Sequence, residues 1–169
     1  MDRHRPSSFA VQRAEPEDLD PIRGLLETCG LPHDDLTPAH LAHFQVARHG
    51  ADLYGVVGLE PCGDGALLRS LAVAPDARGQ GLGTRLVEAI EQRARREGIR
   101  TLYLLTTSAA SYFQAHGYER IERDVLPEAI QQTDEVARLC PSSAVCMRKA
   151  LRASDDAPRG LDTRPTGGV

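Results

Sequence analysis

Residues 71–98 of this 169-residue chain read LAVAPDARGQGLGTRLVEAIEQRARREG, and no other stretch constrains the fold as strongly. An apolar run ends at Val73, glycines follow at positions 79, 81 and 83, and a long amphipathic segment begins. Leu82, Leu86, Ile90 and Ala94 recur every fourth residue, as one face of an α-helix requires, and Gly98 stands where helices commonly stop. Clustered glycines are entropically costly, so this strand-to-helix turn has to need bare backbone. A turn of this kind aims the unpaired N–H groups of a helix N-terminus at one point, where the helix dipole favours an anion, most naturally a phosphate. Two phosphate motifs are excluded by spacing. No lysine follows Gly83 as a Walker A loop requires, and Gly79-x-Gly81-x-Gly83 lacks the G-x-G-x-x-G order of a dinucleotide fingerprint.

The flanking patterns predict an α/β domain. Strands are expected at residues 9–13, 44–48, 53–59, 66–73, 101–107, 118–123 and 144–149, and helices within 15–30, 36–44, 82–97 and 108–116. The segment ALLRSLAV, residues 66–73, is almost continuously apolar, as a central strand covered on both faces would be. The order β-α-α-β-β-β-α-β-α-β-β describes a mixed sheet of six to seven strands flanked by helices. Residues 1–7 and 151–169 read as tails, the latter rich in Asp, Pro, Gly and Arg and without an apolar period, which leaves 8–150 as the domain.

Composition narrows the class. Hydrophobic residues at 41%, charged residues at 26% and a formal net charge of −4 fit a soluble globular protein and argue against a nucleic-acid or anionic-membrane partner. No apolar run approaches the roughly 20 residues of a membrane span, and the first residues lack the apolar centre of a secretory signal, so a cytoplasmic location is expected. Cys29, Cys62, Cys140 and Cys146 form no CxxC pair and are expected as free thiols. The pair in CPSSAVC has the option of a soft metal, against which the reading as small buried hydrophobes carries more weight.

The pattern Leu71-x-Val73-x-Pro75-x-x-Arg78-Gly79-x-Gly81-Leu82-Gly83, with a strand before it, a long helix after it and a later Phe113-x-x-x-Gly117-Tyr118, resembles the acetyl-CoA loop of the GNAT superfamily of acetyltransferases. The resemblance spans about residues 9–149. It implies a GNAT fold and acetyl-CoA as co-substrate, with no metal. The amides of Gly79, Gln80, Gly81, Leu82, Gly83 and Thr84, with Arg78, would cradle the coenzyme's pyrophosphate. Leu71, Ala72 and Val73 would pair with the pantetheine arm, and Thr107 and Phe113 would border it. The run LYLLTTSAASYFQAHGYERIERDVLPEAI is similar to the GNAT domain of N-acetylglutamate synthases, and LCPSSAVCMRK to arsenic-resistance N-acetyltransferases of the ArsN type. Both imply a small acidic α-amino acid as acceptor: an arsinothricin- or phosphinothricin-type compound first, and L-glutamate second. A homodimer is expected by analogy with the fold.

Acetyl transfer to an amine needs a neutral nitrogen, a polarised carbonyl and a stabilised leaving thiolate. The Val73 backbone N–H is the expected oxyanion donor, given a bulge near the end of its strand. Many family members place an acidic tyrosine four residues before the glycine of the Gly-aromatic pair. Here that residue is Phe113, which has no proton to give. Tyr112, about 100° away around a helix, is expected to pack elsewhere unless the helix is distorted, and ordinary packing outweighs an acid role for it. The acid is then Ser70, Thr106, Thr107 or a bound water. No side-chain base is evident, so a water chain is expected to carry that proton. Arg69 has two readings of equal weight, a clamp for acceptor carboxylates or a strand arginine paired with an acid, because burying it alone would be costly. Arg23 and Arg48 are weaker substrate candidates. Arg93, Arg95, Arg96 and Arg100 read as a solvated helix face, and His43 and His116 as packing residues. A non-catalytic acyl-CoA sensor and a protein acetyltransferase are the rival readings.

Overall fold

The computed structural model describes residues 8–139 and 142–152. Seven strands, β1 (Ala10–Arg13), β2 (Phe44–His49), β3 (Asp52–Cys62), β4 (Gly65–Val73), β5 (Thr101–Thr106), β6 (Glu119–Ile121) and β7 (Val145–Ala150), form one sheet in the order β1-β2-β3-β4-β5-β7-β6. Every neighbouring pair is antiparallel except β4–β5. Helices α1 (Leu19–Thr28), α2 (Pro38–Leu41), α3 (Leu82–Arg96), α4 (Ala110–Ala115) and α5 (Glu128–Gln131) cover it.

Alternation along the central strands explains the two layers. Val46 and Val56 point to one face, against Ile22, Leu25 and Leu26 of α1 and Leu41 of α2. Ala47, Val57, Leu59 and Leu68 point to the other, where Leu82, Leu86, Ile90 and Ala94 of α3 lie. Each fully buried leucine or isoleucine contributes roughly 1.5–3 kcal/mol. β4 is buried along nearly its whole length, as its apolar run predicts. Leu67 belongs to a third cluster with Leu126, Ile130, Val136 and Cys146, beneath the segment that joins β6 to β7.

The structure corrects several expectations. Residues 118–123 supply only a three-residue edge strand, followed by a 3-10 turn at Arg123–Val125. Leu151, read as the first residue of the tail, is buried in the core, and its N–H donates to Arg100 O at 2.8 Å. Residues 1–7, 153–169 and Cys140 lie outside the described residues. Cys29, Cys62 and Cys146 are free thiols, and burial pushes the thiols of Cys62 and Cys146 up. Arg93 is not solvated: 3% exposed, it bonds Ala42 O, Phe44 O, Gln45 and Glu97, tying α3 to the entry of β2. Glu91 is buried and accepts hydrogen bonds from Tyr118 Oη (2.9 Å) and Lys149 Nζ (3.0 Å), with Arg95 one turn along α3 at 3.8 Å.

Candidate active site

β4 and β5 pair only where Gly65–Leu67 meets Thr101–Tyr103, although β4 runs on to Val73 and β5 to Thr106. Beyond that register the strands part. The gap is a cleft of about 660 Å³, walled by residues 68–73 and 104–109. A bulge on β4 accompanies the parting: Val57 of β3 faces two residues, Ser70 and Leu71, and Ser70 takes a left-handed φ of 62°. The Ala74 N–H donates to Tyr54 O on the β3 side at 2.8 Å. Because N–H direction alternates along a strand, the Val73 N–H points the other way, into the cleft.

One end of the cleft reaches Arg78, beside the glycine turn, although residues 79–84 are not among those that line it. Gly79 and Gly81 have φ of 81° and 78°, and a Cβ at either would meet nothing within 4 Å, so conformation rather than crowding demands glycine there. At Gly83 a Cβ would stand 3.4 Å from the Tyr112 hydroxyl, an ordinary contact, so neither crowding nor conformation demands glycine there. α3 starts at Leu82 with no side-chain cap, and the Arg85 N–H is the first to reach a helical carbonyl, Gly81 O at 3.1 Å. The N–H groups ahead of it have no helical carbonyl to meet, as the expected anion cradle would require. Gln80 is exposed beside them, whereas the Leu82 side chain turns into the core. Arg78 flanks the turn, with Nε donating to Val73 O at 3.0 Å.

The far end is built from acids. Arg69 and Val73 are four residues apart, about 13 Å along an extended strand. The Arg69 side chain is 0% exposed and bonds both Asp35 oxygens at 2.6 and 2.8 Å, Glu60 Oε1 at 3.1 Å and Ser70 Oγ at 3.1 Å. Glu135 Oε1 lies 3.0 Å from Arg69 Nη2 as an ion contact, without an aligned hydrogen bond. Burial works against the guanidinium charge, but Asp35, Glu135 and Glu60 outweigh it and raise its pKa. Burial also works against the Asp35 carboxylate, yet the Arg69 bond and charge hold it below its ordinary range. Glu135 goes the other way: burial pushes it up to about 7, with Arg69 opposing and Asp35 and Glu60 adding to the rise.

Arg69 therefore lies at the cleft, as expected, but its guanidinium is committed to three carboxylates and is no open carboxylate clamp. Arg23 and Arg48 are not brought to the cleft lining; Arg23 donates to Leu36 O, and Arg48 pairs with Asp18. Leu71, Ala72, Val73 and Thr107 line the cleft. Thr106 Oγ1 accepts the N–H groups of Ser108 (3.3 Å) and Ala109 (2.9 Å), which makes it a cap for the turn into α4. Phe113 is 5% exposed and packs edge-on against Tyr118, so it forms floor rather than wall. Tyr112, expected to pack elsewhere, instead carries its hydroxyl to the cleft, 3.3 Å from Thr84 Oγ1 at the start of α3. The divergence of the two aromatics was legible from the helical period; which of them faced the sheet was not.

Sequence reasoning missed Asp35, Glu60 and Glu135. The signal available was Arg69 itself, since an arginine in an apolar strand demands acids. Its partners sit 34, 9 and 66 residues away, and only the fold selects them.

Residues 40–120, from α2 to β6, match the acetyltransferase (GNAT) domain family. The chain is 34% identical over 94 residues to the amino-acid acetyltransferase of Neisseria meningitidis serogroup A, a stretch that is 53% of this chain and 21% of that protein. The chain thus spans about a fifth of the length of the curated relatives it matches. Among solved structures, N-acetylglutamate synthase from Neisseria gonorrhoeae complexed with coenzyme A and N-acetyl-glutamate superposes with a TM-score of 0.75 at 25% identity, covering 86% of this chain and 35% of that one. Rv2747 from Mycobacterium tuberculosis, in complex with CoA, gives 0.71 at 25% identity and covers 85% of this chain and 99% of that one. Fold, cleft and similarity agree: this chain has the GNAT fold, and its residues 40–120 match the GNAT acetyltransferase domain family.

Proposed function

We propose that the chain is an acetyl-CoA-dependent N-acetyltransferase acting on the α-amino group of a small amino acid or amino-acid analogue. The observation that carries this reading is the cleft that runs from Arg78, beside the glycine turn, past the inward Val73 N–H, to the acids around Arg69. Coenzyme phosphates fit the turn by charge and donor geometry, and the pantetheine arm fits the unpaired edge of β4 as an added strand. The thioester carbonyl then lies near the Val73 N–H, which stabilises the charge that develops on its oxygen. Holding both reactants in one cleft supplies much of the acceleration by positioning. Thr84, Gly79, Gly81 and Gly83 serve the coenzyme in this reading, joined by the Tyr112 hydroxyl.

The finer reading takes an arsinothricin- or phosphinothricin-type acceptor, on the likeness of LCPSSAVCMRK to arsenic-resistance acetyltransferases. L-glutamate is the second reading, favoured by the similarity to the gonococcal N-acetylglutamate synthase. Thiol release from acetyl-CoA with the three acceptors tests both. The expected result is a kcat/KM for arsinothricin at least tenfold above that for glutamate, a difference of about 1.4 kcal/mol in transition-state stabilisation. Glutamate ahead would assign the biosynthetic reading. Tight coenzyme binding without thiol release for any amine would assign a sensor.

A further inference from the structure

The carboxylate of Glu135 is the least settled charged group in the cleft. It belongs to the π-helical turn Glu135–Leu139, and its side chain is only 7% exposed. Its Oε1 is buried with no aligned hydrogen bond and faces a guanidinium at 3.0 Å, while the residue as a whole lines the cleft. The groups around it explain this. Arg69 on β4 already gives both ends of its fork to Asp35, from the loop before α2, and shares Nη1 with Glu60 of β3. Glu135 therefore meets one cation, four of whose five N–H groups bond other acceptors, and two carboxylates that repel it. His40 of α2 stands 3.9 Å from Glu60, one layer further out. A carboxyl held by burial, with an oxygen lacking a partner at the end of the cleft remote from the coenzyme turn, is placed to receive a proton from whatever amine enters there.

We propose that Glu135 is the general base of the transfer and that Arg69 is a positioning residue for it. This rests on the acetyltransferase reading. The acceptor enters as an ammonium group, and the Glu135 carboxylate takes one of its protons through an intervening water, leaving a neutral amine and a carboxylic acid. The amine nitrogen attacks the thioester carbonyl, the C–N bond forms, the C–S bond breaks, and the remaining ammonium proton of the adduct passes to the departing thiolate, giving an amide and coenzyme A thiol. The proton on Glu135 returns to solvent before the next cycle. A side-chain pKa near 7 suits that task, because the group is ionised enough to accept and basic enough to hold.

Two measurements test the assignment. The first follows the Glu135 carboxyl directly, by difference infrared titration of wild type minus Glu135→Gln, and needs no acceptor. A carboxyl band that titrates between pH 6 and 8 is expected, and one that titrates below pH 5.5 overturns the proposal. The second is the pH profile of kcat for thiol release with arsinothricin, phosphinothricin or L-glutamate, whichever the wild type turns over. Wild type should level off above about pH 7. Glu135→Gln should lose on the order of 100-fold at pH 7 and keep rising with pH as the free amine accumulates. Coenzyme A affinity of the variant, by calorimetry, should stay within twofold of wild type and so report an intact fold. A Glu135→Gln profile that keeps the wild-type rate and plateau overturns the role. Failure of the acetyltransferase reading appears separately, as wild-type silence with all three acceptors alongside a carboxyl that still titrates near 7.

Discussion

Ser70 and Gly81 show how single backbone angles build the site. Ser70 holds a φ of 62° without being glycine, at the bulge where β4 leaves β5. A left-handed L-residue costs roughly 1–2 kcal/mol, and its hydroxyl offsets part of that by accepting from Arg69 Nε. Ser70→Gly and Ser70→Ala both remove the hydroxyl, but only glycine relieves the angle. The glycine variant should be more stable than the alanine variant by about 1 kcal/mol in urea denaturation. At Gly81 the open space around a Cβ means that Gly81→Ala meets strain without a clash. That variant should lose about 1 kcal/mol of stability and bind coenzyme A at least about tenfold more weakly by calorimetry, since the N–H groups at the start of α3 turn away from the phosphates.

Elements meet in this protein through close approaches as much as through apolar area. Gly58 of β3 sits opposite Phe44 of β2, and a Cβ there would stand 2.2 Å from the buried phenyl ring. Phe44 is 0% exposed and has nowhere to move. Gly58→Ala should therefore destabilise by about 3 kcal/mol, the upper end for overpacking, read as a lower urea midpoint with an unchanged slope. The same layer logic explains which elements could be anticipated. α1, α3 and β4 carry strong periods because each buries one stripe or both faces, and residues 22, 25, 26, 82, 86, 90 and 94 are all in the core. The segment between β6 and β7 carries no comparable period. Its short α5 and π-helical turn exist because Ile130 and Val136 cap Leu67, a contact between residues more than sixty positions apart.

At the scale of the whole molecule, the acids around Arg69 couple stability to pH. Glu135 has a folded pKa of about 7 against an ordinary value of 4.5. Between those pH values the folded chain holds a proton that the unfolded chain has released, so stability falls as pH rises through that window, by something on the order of 3 kcal/mol. Glu135→Gln removes the slope. The variant should match wild type near pH 4.5 and exceed it at pH 8 by roughly 2–3 kcal/mol, measured as urea midpoints across pH. Asp35 acts in the opposite sense: its lowered pKa stabilises the fold above its ordinary value of 3.8, and that stability is lost on further acidification. A base that weakens the fold at the pH where it works fits the general cost of keeping a functional group buried and incompletely paired.

What the order of amino acids settles here is local. The apolar run of β4, the glycines at 79 and 81 and the fourfold period of α3 specify a strand, a left-handed turn and a helix from interactions within a few residues, and so the strand–turn–helix unit is legible before any folding. The direction of the Val73 N–H needs the bulge register with β3, and the fate of Arg69 needs Asp35, Glu60 and Glu135 delivered from a loop, a strand and a turn scattered along the chain. Electrostatic partners of a buried charge are chosen by distance in space, and burial sets how strongly they act. Neither quantity exists until the layers have packed.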